Sequence, residues 1–327
     1  MPGVFRFNDL GSLPAQLSGG VVAIGNFDGV HRGHRAVLDR ALEIAKASNR
    51  PALVLTFEPH PRTVFAPESP VFRLTPAPVK ARLLAALGFD AVAEQEFSRE
   101  FASHTADEFI QTVLIDGLKA AHVVTGFDFH FGKGRQGGPA FLMEAGKRLG
   151  FDVTLVDAFR DEGAAVVSSS RIRDCLADGN VTEAAGLLGY RYTVSATVIA
   201  GKQLGRTLGF PTANMELADE NRLAHGIYAV RFRMADGALK DGVASFGRRP
   251  TVDSDGAPLL ETFVFDFDGD LYGQTCDVSF FGFLRGEMKF DGLDPLMAQM
   301  RHDESEARAL LAGVSPLSDL DLSLCFT

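Results

Sequence analysis

Two textures of apolar and polar positions divide the chain. In the first, short apolar runs alternate with stretches of helical period. VVAI at 21–24 is the first clear run and ends at Gly25. A polar turn follows, then AVLDRALEIAKA, with apolar positions at helical spacing. ALVLTF after Pro51, a run at 91–93, AHVVTG at 121–126 and DVTLVDAF at 152–159 are further strand candidates. Thr105 with Glu108 reads as a capping box, opening a helix predicted through Leu114. Strands alternating with helices predict an α/β domain with a mostly parallel sheet covered on both faces. Such a sheet receives ligands beyond the C-terminal ends of its strands. That rule singles out the residues just after Gly25 and just after Gly126.

The second texture begins near Gly189. Before it, Ser168, Ser169 and Ser170 precede the helical RIRDCLADG, and Asn180 with Glu183 repeats the capping pattern. After it, YRYTVSATVIAG alternates in the β manner, and GIYAVRFRMADG ends in the hairpin signal Asp-Gly. The stretch 259–285 is rich in β-branched and aromatic residues. An antiparallel barrel or sandwich is expected, closed by the helix PLMAQMRHDESEARALLAG. The domains read as 1–188 and 189–327.

A chain of 327 residues, 46% hydrophobic and 23% charged, suits two folded domains. A formal net charge of -10 argues against a broad nucleic-acid surface, which needs many cations facing phosphates. It leaves room for ATP, held by a few placed cations, backbone amides and a metal. Cys175, Cys276 and Cys325 have no disulfide or metal spacing and read as incidental buried residues. The start MPGVFRFNDL shows no secretory pattern, and no apolar run approaches spanning length. The expectation is a cytoplasmic protein with no membrane partner. Nothing in the sequence specifies an oligomeric state.

GNFDGVHRGH at 25–34 follows a strand and opens a helix. Gly29 and Gly33 let backbone turn and approach a ligand closely. A helix N-terminus offers unpaired N–H groups and a positive dipole end to phosphate. His31 and His34 could reach the same anion, and hydrogen bonds to a developing pyrophosphate would suffice for catalysis. The plainer reading is a glycine-rich turn with two surface histidines. The whole string, however, resembles the HxGH signature of the nucleotidylyltransferases, and at this length their FAD synthetase branch. The resemblance implies a Rossmann-like sheet of the HxGH type, with Gly25, Phe27, Asp28 and Gly33 at the nucleotide. TFEPHP at 56–61 and TGFDFHFGKGRQG at 125–137 also match that branch. The latter resembles its flavin and nucleotide loop, with Asp128 and Phe129 facing flavin. Asp128 stands where many relatives carry Asn. SSSRIR at 168–173 resembles the branch's SSTxIR, which puts Ser169, Ser170 and Arg173 at ATP phosphates; hydroxyls there can also simply cap a helix. An Arg common in the branch is replaced by Val166, and Arg171 is a possible substitute.

GKQLGRTLGFPTANM at 201–215 offers Gly201, Lys202 and Arg206 to phosphate. Thr212 and Asn214, two apart on an extended segment, share a face and could help hold Mg²⁺ (or Mn²⁺). A polar turn is the plainer reading of any three of these residues. The string resembles the riboflavin kinase signature. Glu261 in LLETFVFDF would ordinarily be a solvent-facing strand residue; the resemblance makes it the base that deprotonates the ribityl 5′-hydroxyl. Ser245 stands where relatives often have Asn. Phe280, Phe281 and Phe283 read as core. The implied protein phosphorylates riboflavin to FMN and adenylylates FMN to FAD, with ATP as substrate in both steps. A chain retaining one activity, a non-catalytic flavin sensor, and transfer to another phosphate acceptor are the alternatives.

Overall fold

The structure, a computed structural model, describes residues 4–200, 210–250 and 255–327. It divides into two compact units, Met1–Ser168 and Ser169–Thr327.

In the first unit, strands β1 (Phe5–Phe7), β2 (Val21–Ile24), β3 (Ala52–Glu58), β4 (Ala91–Glu96), β5 (His122–Gly126) and β6 (Asp152–Val156) form one sheet in the order β1-β4-β3-β2-β5-β6. Every pairing is parallel. Val21, Val22, Ala23 and Ile24 are all buried, as a strand covered on both faces requires. Helix α1 (Arg32–Ser48) buries Val37, Leu38, Ala41 and Ala45. The capping box at Thr105 and Glu108 is formed in both directions. Its α-helix is only Ala106–Phe109, and the chain continues in wider π turns over Ile110–Gly117, past the expected end at Leu114. That stretch adds Ile110, Val113 and Leu114 to the core. β6 stops at Val156 rather than 159. The sequence order reverses direction between β2 and β5, with Ile24 paired to Thr125. This is the switch point where a crevice opens beyond the strand ends. The loops leaving β2 and β5 flank it.

The second unit opens with helices Ser169–Ala177 and Val181–Leu188, which pack on each other. Val181, Ala184, Ala185, Leu187 and Leu188 are buried there. Strands β7 (Thr193–Ile199), β8 (Thr212–Glu216), β9 (Gly226–Arg233), β10 (Leu239–Pro250), β11 (Asp255–Val264) and β12 (Thr275–Arg285) close into a barrel in the order β10-β11-β8-β7-β12-β9. Closure decides between barrel and sandwich. All its pairings are antiparallel. Helix Leu293–Ala312 packs Ala307, Leu310 and Leu311 against Ala229, Val243, Phe263 and Phe281, so those strand residues face outward. Alternation then turns Tyr228, Val230, Phe232, Ala244, Phe246, Leu260, Thr262 and Val264 into the interior. Phe280 and Phe281 are core as expected, while Phe283 is partly exposed and packs on Tyr228. All three cysteines are free and buried.

Thr262 is an exception inside the barrel. It is fully buried and its hydroxyl has no hydrogen-bond partner among the described residues. Its cross-strand neighbours are Ala213 and Ala244. A buried hydroxyl without a partner costs about 1–3 kcal/mol. Thr262→Val is therefore expected to stabilise the barrel by about 1 kcal/mol. A higher denaturant midpoint at unchanged slope would bear this out; a lower midpoint would contradict it.

Candidate active sites

His31 is the N-cap of α1, in an extended conformation, and its Nδ1 accepts the His34 N–H at 3.2 Å. The two imidazoles stack with centroids 3.6 Å apart, and Phe27 meets His34 edge-on at 5.4 Å. His31 is only 4% exposed, so the picture of two surface histidines does not hold. A Cβ on Gly33 would lie 2.9 Å from the Val167 carbonyl and 3.0 Å from the His31 ring, so this position has room only for glycine. A Cβ on Gly25 would meet the Phe27 ring at 2.9 Å. Gly25, Phe27, His31, Gly33 and His34 thus form one assembly at the positive end of a long helix, where anions bind.

Asp28, on the same loop, is tied to a neighbouring segment. It is 1% exposed and accepts the Thr75 N–H at 3.0 Å and the Leu74 N–H at 3.2 Å. Arg73 Nε adds a contact at 3.4 Å. A side chain so placed anchors the loop to residues 73–75.

The loop after β5 lies beside this assembly through the Ile24–Thr125 pairing. Phe131 and Gly137 bridge its base. Asp128, Lys133 and Arg135 are exposed. Phe129 stacks on Phe131 at 5.4 Å and packs against the core. Phe127, by contrast, is 48% exposed and offers the open aromatic face of this loop. The string contains three phenylalanines, and their spacing alone does not rank their burial. At the departure Val166, the chain forms an antiparallel bridge with Arg160. Arg171 pairs with Glu183 on the next helix at 3.1 Å. Ser169 begins its helix, with Ser170 and Arg173 in the first turns.

In the barrel, Glu261 is directly opposite Asn214 on β8 and Ser245 on β10. The three form a row across adjacent strands, on the same parity as outward-facing Phe263. Thr212 shares that face two residues from Asn214. Asn214 is buried, and its Nδ2 donates to the Thr212 carbonyl at 3.1 Å. The row therefore lies on the outside of the barrel, away from its filled interior. Gly201, Lys202 and Arg206 lie outside the described residues.

Sequence reasoning also passed over Arg73 and Lys80, which stand behind the first loop. The available signal was a lone lysine in an apolar helix: Lys80 is flanked by Val79 and Ala81, with Leu83 and Leu84 one turn on, all buried.

A parallel sheet with a glycine-rich, histidine-bearing loop at its switch point has the architecture of the nucleotidyl-transferring class of α/β domain, here joined to a separate barrel. The family models agree: FAD synthetase matches residues 13–171 and riboflavin kinase matches 188–311. The chain belongs to the bifunctional riboflavin kinase/FMN adenylyltransferase family. The Escherichia coli K12 member is 41% identical over 302 residues, spanning 92% of this chain and 96% of the relative. The Pseudomonas fluorescens member is 40% identical over 303 residues, or 93% and 96%. A crystal structure of a macrolide-efflux protein from Streptococcus pneumoniae superposes with TM-score 0.83 at 32% identity, covering 94% of this chain and 99% of that one. Among the described residues, no helix is long and apolar enough to cross a membrane.

Proposed function

We propose that this chain makes both flavin coenzymes in sequence from cytoplasmic ATP. Residues 189–327 phosphorylate riboflavin, and residues 1–188 adenylylate the resulting FMN. The supporting observation is likeness running through both halves, 41% identity over 92% of the chain to a bifunctional riboflavin kinase/FMN adenylyltransferase. The division at 188 follows the change in sequence texture, although the helices of 169–188 pack within the barrel unit.

In the first step Glu261 takes the proton of the ribityl 5′-hydroxyl as that oxygen attacks the γ-phosphorus of ATP, and ADP leaves. Asn214 and Ser245 flank the carboxylate and orient it. Thr212 and Asn214 are neutral oxygen donors on one face, which suits Mg²⁺ (or Mn²⁺) completed by phosphate oxygens and water. Among the described residues, no cluster of three His, Cys, Asp or Glu could hold a metal by itself. A bound divalent ion would neutralise the charge on the transferring phosphates. Gly201, Lys202 and Arg206 are proposed phosphate contacts on their sequence pattern alone.

In the second step an FMN phosphate oxygen attacks the α-phosphorus of a second ATP, and pyrophosphate leaves. His31 and His34 hydrogen-bond the developing charge, with Gly25, Phe27 and Gly33 shaping the backbone around it. Ser169, Ser170 and Arg173 are proposed phosphate contacts on sequence pattern. Phe127 serves as the stacking surface for the isoalloxazine, beside Asp128, while Phe129 supports it from the core.

Incubation with riboflavin and Mg-ATP should give FMN and then FAD on a chromatogram. Arrest at FMN, or FAD formed only from supplied FMN, would reduce the proposal to one activity. A shift in flavin fluorescence with no product would make the protein a sensor.

A further inference from the structure

Lys80 lies in helix Ala77–Leu87 and is 0% exposed. Its ammonium donates to the Asn26 carbonyl at 3.1 Å, the Thr56 hydroxyl at 2.6 Å and Glu58 Oε1 at 2.8 Å. The Thr56 hydroxyl donates to the same Asn26 carbonyl at 3.1 Å. Arg73 forks onto Glu58 at 2.7 and 2.8 Å and reaches Asp28 with its Nε. Thr75, whose N–H is held by Asp28, accepts the Gly29 N–H on its hydroxyl at 2.8 Å. Two carboxylates and two cations therefore make a continuous polar block, and its contacts end on residues 26, 28 and 29. Burial pushes the Glu58 carboxyl up, but the Arg73 fork and the Lys80 charge outweigh it and hold the group at about 2. Burial pulls the Lys80 ammonium down, against the pull of Glu58.

The loop so gripped needs holding. Phe27, Gly29 and Val30 have φ of 47°, 94° and 39°. A β-branched residue at positive φ is strained and persists only where its surroundings over-determine it. Buried charges are a poor source of net stability, because desolvation offsets their attraction. Here their contacts converge on the backbone of the loop.

We propose that Glu58, Arg73 and Lys80 are positioning residues for adenylyl transfer, holding residues 26–30 in the backbone path that presents His31, His34 and the α1 N-terminus to the nucleotide. This rests on the assignment of FMN adenylylation to the first domain. None of the three needs to touch substrate; they act through the Asn26 carbonyl, Asp28 and the Gly29 amide.

The test uses the full chain, with kcat and KM for FMN adenylylation measured beside riboflavin phosphorylation. Lys80→Met should lower the adenylylation kcat about 100-fold, the scale expected for a misplaced reacting geometry. The KM for FMN should stay within about twofold, since flavin contacts are untouched. Riboflavin phosphorylation should be unchanged. Because Lys80→Met removes a buried charge and leaves Glu58 with one cation fewer, Thr75→Val is the companion. It removes the hydroxyl that receives the Gly29 N–H and lies 3.5 Å from Asp28 Oδ1, and should lower the same kcat about tenfold while the chain keeps a cooperative melting transition. An unchanged kcat in folded Thr75→Val, or a loss confined to the KM for FMN, overturns the inference. Wild-type chain making no FAD from supplied FMN and Mg-ATP overturns the functional assignment instead.

Discussion

Glu261→Gln is expected to depress FMN formation roughly 10²–10⁴-fold, the usual contribution of a positioned general base. Gln keeps the shape and the hydrogen-bonding capacity of Glu but is unable to accept the hydroxyl proton. The site is set by strand register: Asn214 and Ser245 stand on either side of Glu261 across β8 and β10. The substitution adds no bulk and falls on the outer face, so the barrel interior is undisturbed. Adenylylation of supplied FMN should continue, because the substitution leaves the histidine loop intact. Chromatography of the two half-reactions separates the outcomes. Retained phosphorylation would remove Glu261 from its role as base.

The reverse pattern is expected of His31→Ala. FAD formation from FMN should fall about 10²–10³-fold, the scale for losing one donor to developing charge. Riboflavin phosphorylation should persist. Alanine also removes the cap of α1, since His31 Nδ1 accepts the His34 N–H, and a lost cap costs about 0.5–2 kcal/mol. His31→Asn separates the two effects. Asn is a strong N-cap, so the helix start survives while the imidazole is gone. If His31→Asn restores full adenylylation, capping alone explains the residue. If it stays as slow as His31→Ala, the ring itself acts on phosphate.

Much of this architecture was readable from pattern. Parallel strands buried on both faces show as unbroken apolar runs, so β2, β3 and β5 stood out. The capping box at Thr105 was legible because both of its partners are local. Other features depend on contacts far apart in sequence. The contacts of Asp28 with Leu74 and Thr75 join positions more than forty residues apart. Lys80 meets Asn26 and Glu58 only through the fold. Phe129 and Phe127 have the same local pattern, and only packing against Phe131 tells which one is committed to the core. Glu261 and Asn214 were each recognised, but their direct opposition is a matter of register, which short-range pattern does not carry.

Isotope tracing tests the pairing of two separate phosphate chemistries in one chain most directly. Riboflavin is supplied with ATP labelled in either the γ- or the α-phosphate, and the flavin products are separated. Label from the γ-phosphate should enter FMN and remain in FAD, whereas label from the α-phosphate should appear in FAD only. Finding α-label in FMN, or γ-label in neither flavin, would contradict the account.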